Sequence, residues 1–168
     1  IRTTAQLENL NGNDVDLAIR HGPGSYPGLD SLLLFRPSLI VVAGPSLLKH
    51  PLQSPAECRN YPLLQDRDHA EWTAWFEAND VRPAVAAARG VSYADDALLI
   101  QAAAAGQGLA LVRDVYAGDA LAAGTVIRAY DGRMPLADAY YAVARPDRLS
   151  SHKVSAFRDW LREEAEAA

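Results

Sequence analysis

The sequence predicts an α/β protein with mostly parallel sheets, and three observations carry that expectation. Short apolar runs that read as strands alternate with amphipathic stretches that read as helices, an order that puts helices on the faces of a largely parallel sheet. Between 14 and 20, Val15, Leu17 and Ile19 alternate with Asp14, Asp16 and Ala18, and this strand is cut off by a Gly/Pro-rich loop over 22–28. Two further apolar runs, 32–35 and 39–43, follow with only Arg36, Pro37 and Ser38 between them. No helix separates those two runs, so the alternation breaks there.

The remaining elements follow in order. Thr3 and Thr4 can cap a short helix through Leu10, stopped at Asn11-Gly12. Gly44-Pro45 opens another helix with proline at its first position, and Ser54 to Glu57 has the capping-box spacing with Pro55 after the cap. Trp72, Trp75 and Phe76 share one helical face, which reads as core packing. A strand is expected over 84–91, then a polar turn over 92–96 and a helix over 97–105, with Gly106 in the left-handed C-cap place. A strand over 108–112 and a helix over 114–123, ended by Gly124, come next. Val126-Ile127 start another strand, 140–144 give the last, and Val154, Phe157 and Leu161 mark one face of a closing helix.

Composition bounds the function. At 168 residues the chain fits one domain or two small lobes and can bury a real core. Its mean hydropathy of −0.10 is that of an ordinary globular protein, and no apolar run approaches the roughly 20 residues that cross a membrane. A net charge of −5, with lysine only at Lys49 and Lys153, argues against a surface that tracks nucleic-acid phosphates. The single cysteine, Cys58, excludes an internal disulfide and reads as a small apolar side chain.

The order of the strand at 14–20, its loop, the paired runs at 32–35 and 39–43, and the continuation Gly44-Pro45-Ser46-Leu47-Leu48 resembles the effector-binding domain of LysR-type bacterial transcription regulators. The likeness is closest to the branch that regulates glycine-cleavage and inducible β-lactamase genes, and it covers nearly the whole chain. It implies a type 2 periplasmic-binding-protein-like fold of two lobes, with the chain crossing at the paired runs and returning near 126–136. Lobe I would combine 1–43 with 135–168, and lobe II would be 44–134. By this resemblance a strand, a helix and the start of a further strand would precede the position of Ile1, so lobe I is expected to be incomplete and the sequence a fragment. The resemblance further implies a small-molecule effector held between the lobes and pairing of the domain into a homodimer or homotetramer. DNA would be contacted only through an N-terminal helix-turn-helix outside this sequence. The implied setting is cytoplasmic, with no membrane partner, no cofactor and no catalysis. The alternative is a periplasmic solute-binding protein of a transporter, which shares the two lobes.

The glycines of 22–28 do not form a nucleotide cradle, because the sequel is a strand rather than a helix N-terminus and Pro23 and Pro27 remove two donors. Asp66, Asp68, His69 and Glu71 crowd together as a metal site would, but they also read as a solvated first helical turn. His50 and His152 read as surface residues. Ligands of open parallel sheets bind beyond the carboxyl ends of the strands, and collecting those ends selects Thr3, Thr4, His21, Gly22, the turn with Tyr93, Asp95 and Asp96, and Arg113. The resemblance adds Tyr140 or its neighbour Tyr141, of which strand alternation must turn one toward the core. Asp95 is expected to cap the following helix. Asp96 is expected to face an effector bearing an amine or several hydroxyl donors.

Overall fold

The structure is a computed structural model that describes residues 2, 4, 8–10, 12, 14–67, 69–82 and 91–167. The chain divides into two compact units, Ile1–Pro37 with Leu136–Ala168 and Ser38–Pro135. The helix expected over 3–10 and the strand over 84–91 fall largely on residues outside those described, and Thr4, Glu8 and Asn9 carry no regular structure.

Unit 1 is built on a three-stranded sheet of β1 (Leu17–Gly22), β2 (Asp30–Phe35) and a later strand, β7 (Ala139–Ala144), which lies between them. Both pairings with β7 are antiparallel, from Leu17 opposite Ala144 to Gly22 opposite Ala139, and from Asp30 opposite Ala144 to Phe35 opposite Tyr140. The period of two decides which side chains enter the core. Ala139, Tyr141 and Val143 are buried together with Leu10, and Tyr26 and Leu29 pack on them. Helix α4 (His152–Ala167) packs on β2, tied by Arg158 to Asp30 at 2.6 Å, and buries Val154. The expected face of Val154, Phe157 and Leu161 does not form as such. Phe157 is exposed and stacks instead on Trp160, with ring centroids 5.5 Å apart.

Unit 2 holds a four-stranded sheet in the order β4 (Leu63–Leu64), β5 (Leu109–Arg113), β3 (Ser38–Ala43), β6 (Ile127–Pro135). Its helices are α1 (Glu71–Ala78), α2 (Asp96–Ala104) and α3 (Asp114–Ala122). The unbroken apolar runs of β3 and β5 are explained by burial on both faces. Ile40, Val42, Ala110 and Val112 pack with Leu99, Ile100 and Ala103 of α2 and Ala117 of α3. Trp72, Trp75 and Phe76 of α1 are fully buried, their rings 5.3–5.7 Å apart, and the Trp72 indole N–H donates to the Leu64 carbonyl at 2.8 Å. Trp75 also meets the edge of Tyr130. Gly106 adopts φ +74 after α2, which a left-handed C-cap requires.

Three expectations need correction. The sheets are not mostly parallel: among the described residues, only β4 with β5 and the single bridge from Gln65 to Ser92 run parallel, and the other four strand pairings are antiparallel. For two of these pairings, β2 with β7 and β3 with β6, the cause is the path of the chain. It passes from one sheet to the other between β2 and β3 and returns between β6 and β7, so the strand leaving each sheet runs beside the one entering it in the opposite direction. Second, residues 38–43, assigned above to lobe I, lie in unit 2, because β3 has hydrogen-bonded partners on both sides there. Third, Gly44-Pro45 opens only one turn, with the Leu47 and Leu48 N–H groups donating to the Gly44 carbonyl. Pro51 disfavours helix at His50, so the turn cannot propagate.

Candidate functional site

The carboxyl end of β5 and the first turns of α1 and α2 meet in unit 2. The stretch after β4 is strapped to the loop before α2 by two backbone bonds, Gln65 N–H to the Val91 carbonyl at 3.2 Å and Tyr93 N–H to the Gln65 carbonyl at 2.9 Å. Together these segments line an open pocket of about 360 Å³, with Asp66, Glu71, Tyr93, Asp95, Asp96 and Arg113 in its lining. Asp95 stands in extended conformation and its carboxylate accepts the Leu98 N–H at 3.0 Å, the N-cap expected of it. The Tyr93 hydroxyl donates to the Gln107 side chain at 2.8 Å, which fixes that ring against the pocket.

Asp96 does not stand open to a ligand as expected. Its Oδ1 accepts the backbone N–H of Arg113 at 3.0 Å and its Oδ2 accepts the Arg113 guanidinium at 2.8 Å. The other arm of Arg113 donates to Glu71 at 3.1 Å. All three side chains are largely covered, at 23% exposure for Arg113, 20% for Glu71 and 11% for Asp96, so the pairs are less screened than surface ones. Burial pushes the Glu71 carboxyl up from 4.5 to about 7, against the pull of Arg113 and helped by the charges of Asp66 and Asp96. Glu71 is therefore no solvated first-turn residue, and sequence reasoning missed it as a pocket residue. The partner that reveals it, Arg113, lies 42 positions away.

The structure thus brings Tyr93, Asp95, Asp96 and Arg113 together. His21, Gly22 and Tyr140 form a separate group in unit 1. The His21 and Tyr140 rings lie 4.7 Å apart, and Phe35 stacks on Tyr140 at the same distance. Alternation resolves the tyrosine pair, since Tyr141 is buried in the core and Tyr140 is only partly covered. Gly22 is buried beside the Tyr26 hydroxyl, which a Cβ there would approach to 2.7 Å. Thr4 is exposed in unit 1, and Thr3 lies outside the described residues. Among the described residues, no group of three or more His, Cys, Asp or Glu is placed to hold a metal.

Residues 2–166 match the family described as the LysR substrate binding domain. The chain is 29% identical over 169 residues to the glycine cleavage system transcriptional activator of Escherichia coli K12, covering 99% of this chain and 55% of that protein. It is 28% identical over 157 residues to the HTH-type transcriptional activator AmpR of Pseudomonas aeruginosa PAO1, covering 94% and 52%. The chain spans about half the length of the curated relatives it matches. Among solved structures, the effector domain of AmpR from Pseudomonas aeruginosa superposes with a TM-score of 0.76 at 27% identity, over 95% of this chain and 76% of that one. The CrgA regulatory domain of Neisseria meningitidis shares the fold, with a TM-score of 0.70 at 24% identity over 94% of this chain and 78% of that one. With a two-unit α/β architecture and a family match over nearly its whole length, the chain belongs to the LysR substrate binding domain family and has its periplasmic-binding-protein-like type 2 fold.

Proposed function

We propose that this chain senses a small-molecule effector for a LysR-type transcription regulator, and that the pocket of unit 2 takes part of that effector. The observation that carries the reading is the convergence of Tyr93, Asp96, Arg113 and Glu71 on one pocket in a member of this family. The pocket is lined by four carboxylates, of Asp66, Glu71, Asp95 and Asp96, against the two guanidinium groups of Arg67 and Arg113. That excess, and the upward push on Glu71 it contributes to, favours a ligand group that donates hydrogen bonds, an amine or a set of hydroxyls. Unit 1 carries its own candidate contacts in His21, Gly22 and Tyr140.

The relatives are transcriptional activators, which favours a regulator over the solute-binding protein of a transporter. The wider reading is a non-enzymatic, cytoplasmic homodimer or homotetramer that reaches DNA through a helix-turn-helix domain elsewhere in the whole protein. An effector can act there only through different affinity for two arrangements of the regulator.

A thermal-shift screen against amino acids, sugars, and their amine and carboxylate derivatives tests the reading. A ligand at about 100 times its Kd adds roughly 2.7 kcal/mol of stability, which such a screen resolves. The expected hit carries amine or hydroxyl donors and loses its effect in Glu71→Gln and Asp96→Ala, with His21→Ala and Tyr140→Phe run alongside. A hit unaffected by both pocket substitutions would place the effector elsewhere.

A further inference from the structure

We propose that Arg113 and Asp114 form a relay from the unit 2 pocket to the two strands by which the chain enters and leaves that unit. The two residues are joined by one peptide at the junction of β5 and α3, and their carboxylate and guanidinium groups hold different things. Arg113 is held on the pocket side, its N–H and one guanidinium arm by Asp96 and the other arm by Glu71. Asp114 holds the crossing strands. Its Oδ1 accepts the N–H of Ser38, the first residue of β3, at 3.1 Å and the N–H of Val115 at 3.0 Å, while its Oδ2 accepts Arg133 of β6 at 3.0 Å. Ser38 and Arg133 belong to the paired ends of β3 and β6, where Ser38 faces Pro135.

Asp96 holds the backbone N–H of Arg113 as well as its guanidinium, so releasing that carboxylate frees the backbone at the end of β5, one residue before Asp114. Asp114 is largely covered whereas Arg133 is mostly exposed, which makes the Ser38 N–H the firmer of its two strand contacts. A ligand that competes with Arg113 for Asp96 or Glu71 thereby loosens the grip on the first residue of the entering strand. That the signal enters at the pocket rests on the functional reading above; the relay itself is tested without any ligand.

Amide hydrogen exchange of the whole chain decides it. Asp96→Asn, which weakens the hold on Arg113, is expected to speed exchange of the Ser38 amide about tenfold, the scale of one lost hydrogen bond. In an Asp114→Ala background, where that amide already exchanges fast, Asp96→Asn is expected to add nothing. Glu71→Gln, a near-isosteric change, gives the same readout should Asp96→Asn fold poorly. An unchanged Ser38 amide in both pocket variants, or additive effects in the double variant, overturns the relay. Either result leaves the pocket assignment standing, since that falls only to a ligand that binds elsewhere.

Discussion

At Glu71, burial outweighs the Arg113 guanidinium and the carboxyl titrates near 7 instead of 4.5. Its folded value lies above its unfolded one, so the folded state binds the extra proton between those limits. Stability is then greatest below about 4.5 and falls as pH rises to about 7, with the loss complete above that. Urea unfolding of wild type and Glu71→Gln across this range should show the wild type declining relative to the variant, which cannot lose that proton. Parallel curves would mean the carboxyl titrates normally. Cys58 is buried and its thiol is pushed up to about 12 by the same desolvation, so it has almost no reactive thiolate at neutral pH. Iodoacetamide should leave it unmodified in the folded chain and alkylate it in urea; rapid labelling of native protein would contradict the buried placement.

At the scale of elements, α2 is held at both ends by devices visible in its sequence. Asp95→Ala should cost about 1 kcal/mol by freeing the Leu98 N–H. It should leave the Arg113 contacts intact, which chemical denaturation and the Arg113 amide shift report separately. Gly106→Ala should also destabilise, because φ +74 disfavours a side chain and its Cβ would come within 2.7 Å of the Ser46 hydroxyl. Other local patterns misled. Ser54 and Glu57 have the capping-box spacing, yet the segment Pro55–Asn60 is a 3₁₀ helix in which their side chains bond each other at 3.2 Å. The tighter turn sends the Glu57 N–H to the Ser54 carbonyl, so Ser54's hydroxyl is not needed there. On α4 the apolar spacing was right for a helix, but it could not say that Phe157 would pair with Trp160 outside the core.

For the whole molecule, a net charge of −5 argues against a surface that tracks nucleic-acid phosphates. The 168-residue chain alone should therefore give no mobility shift of duplex DNA at low salt. A sequence-dependent complex would refute this. The same scale decides strand direction. Apolar runs at 32–35 and 39–43 with no helix between them marked where the chain changes sheets, but nothing in either run told that entering and leaving strands would pair antiparallel.

By itself the sequence determined the class of protein, most element positions, the caps of α2 and the burial of β3, β5 and the α1 aromatics. Each of these depends on neighbours within about one helical turn or one strand, and hydropathy and side-chain type report them directly. It also pointed to Tyr93, Asp95, Asp96 and Arg113, because strand ends collect polar groups. Only the tertiary structure decided that Asp96 is a clamp on Arg113 rather than an open carboxylate, and that Glu71 completes the pocket. Those contacts join positions 17 and 42 apart, and their existence depends on how β5 aligns with the starts of α1 and α2. A charge written in a sequence has no partner until the chain path brings one within a few ångströms, and that path is set by the packing of the whole unit.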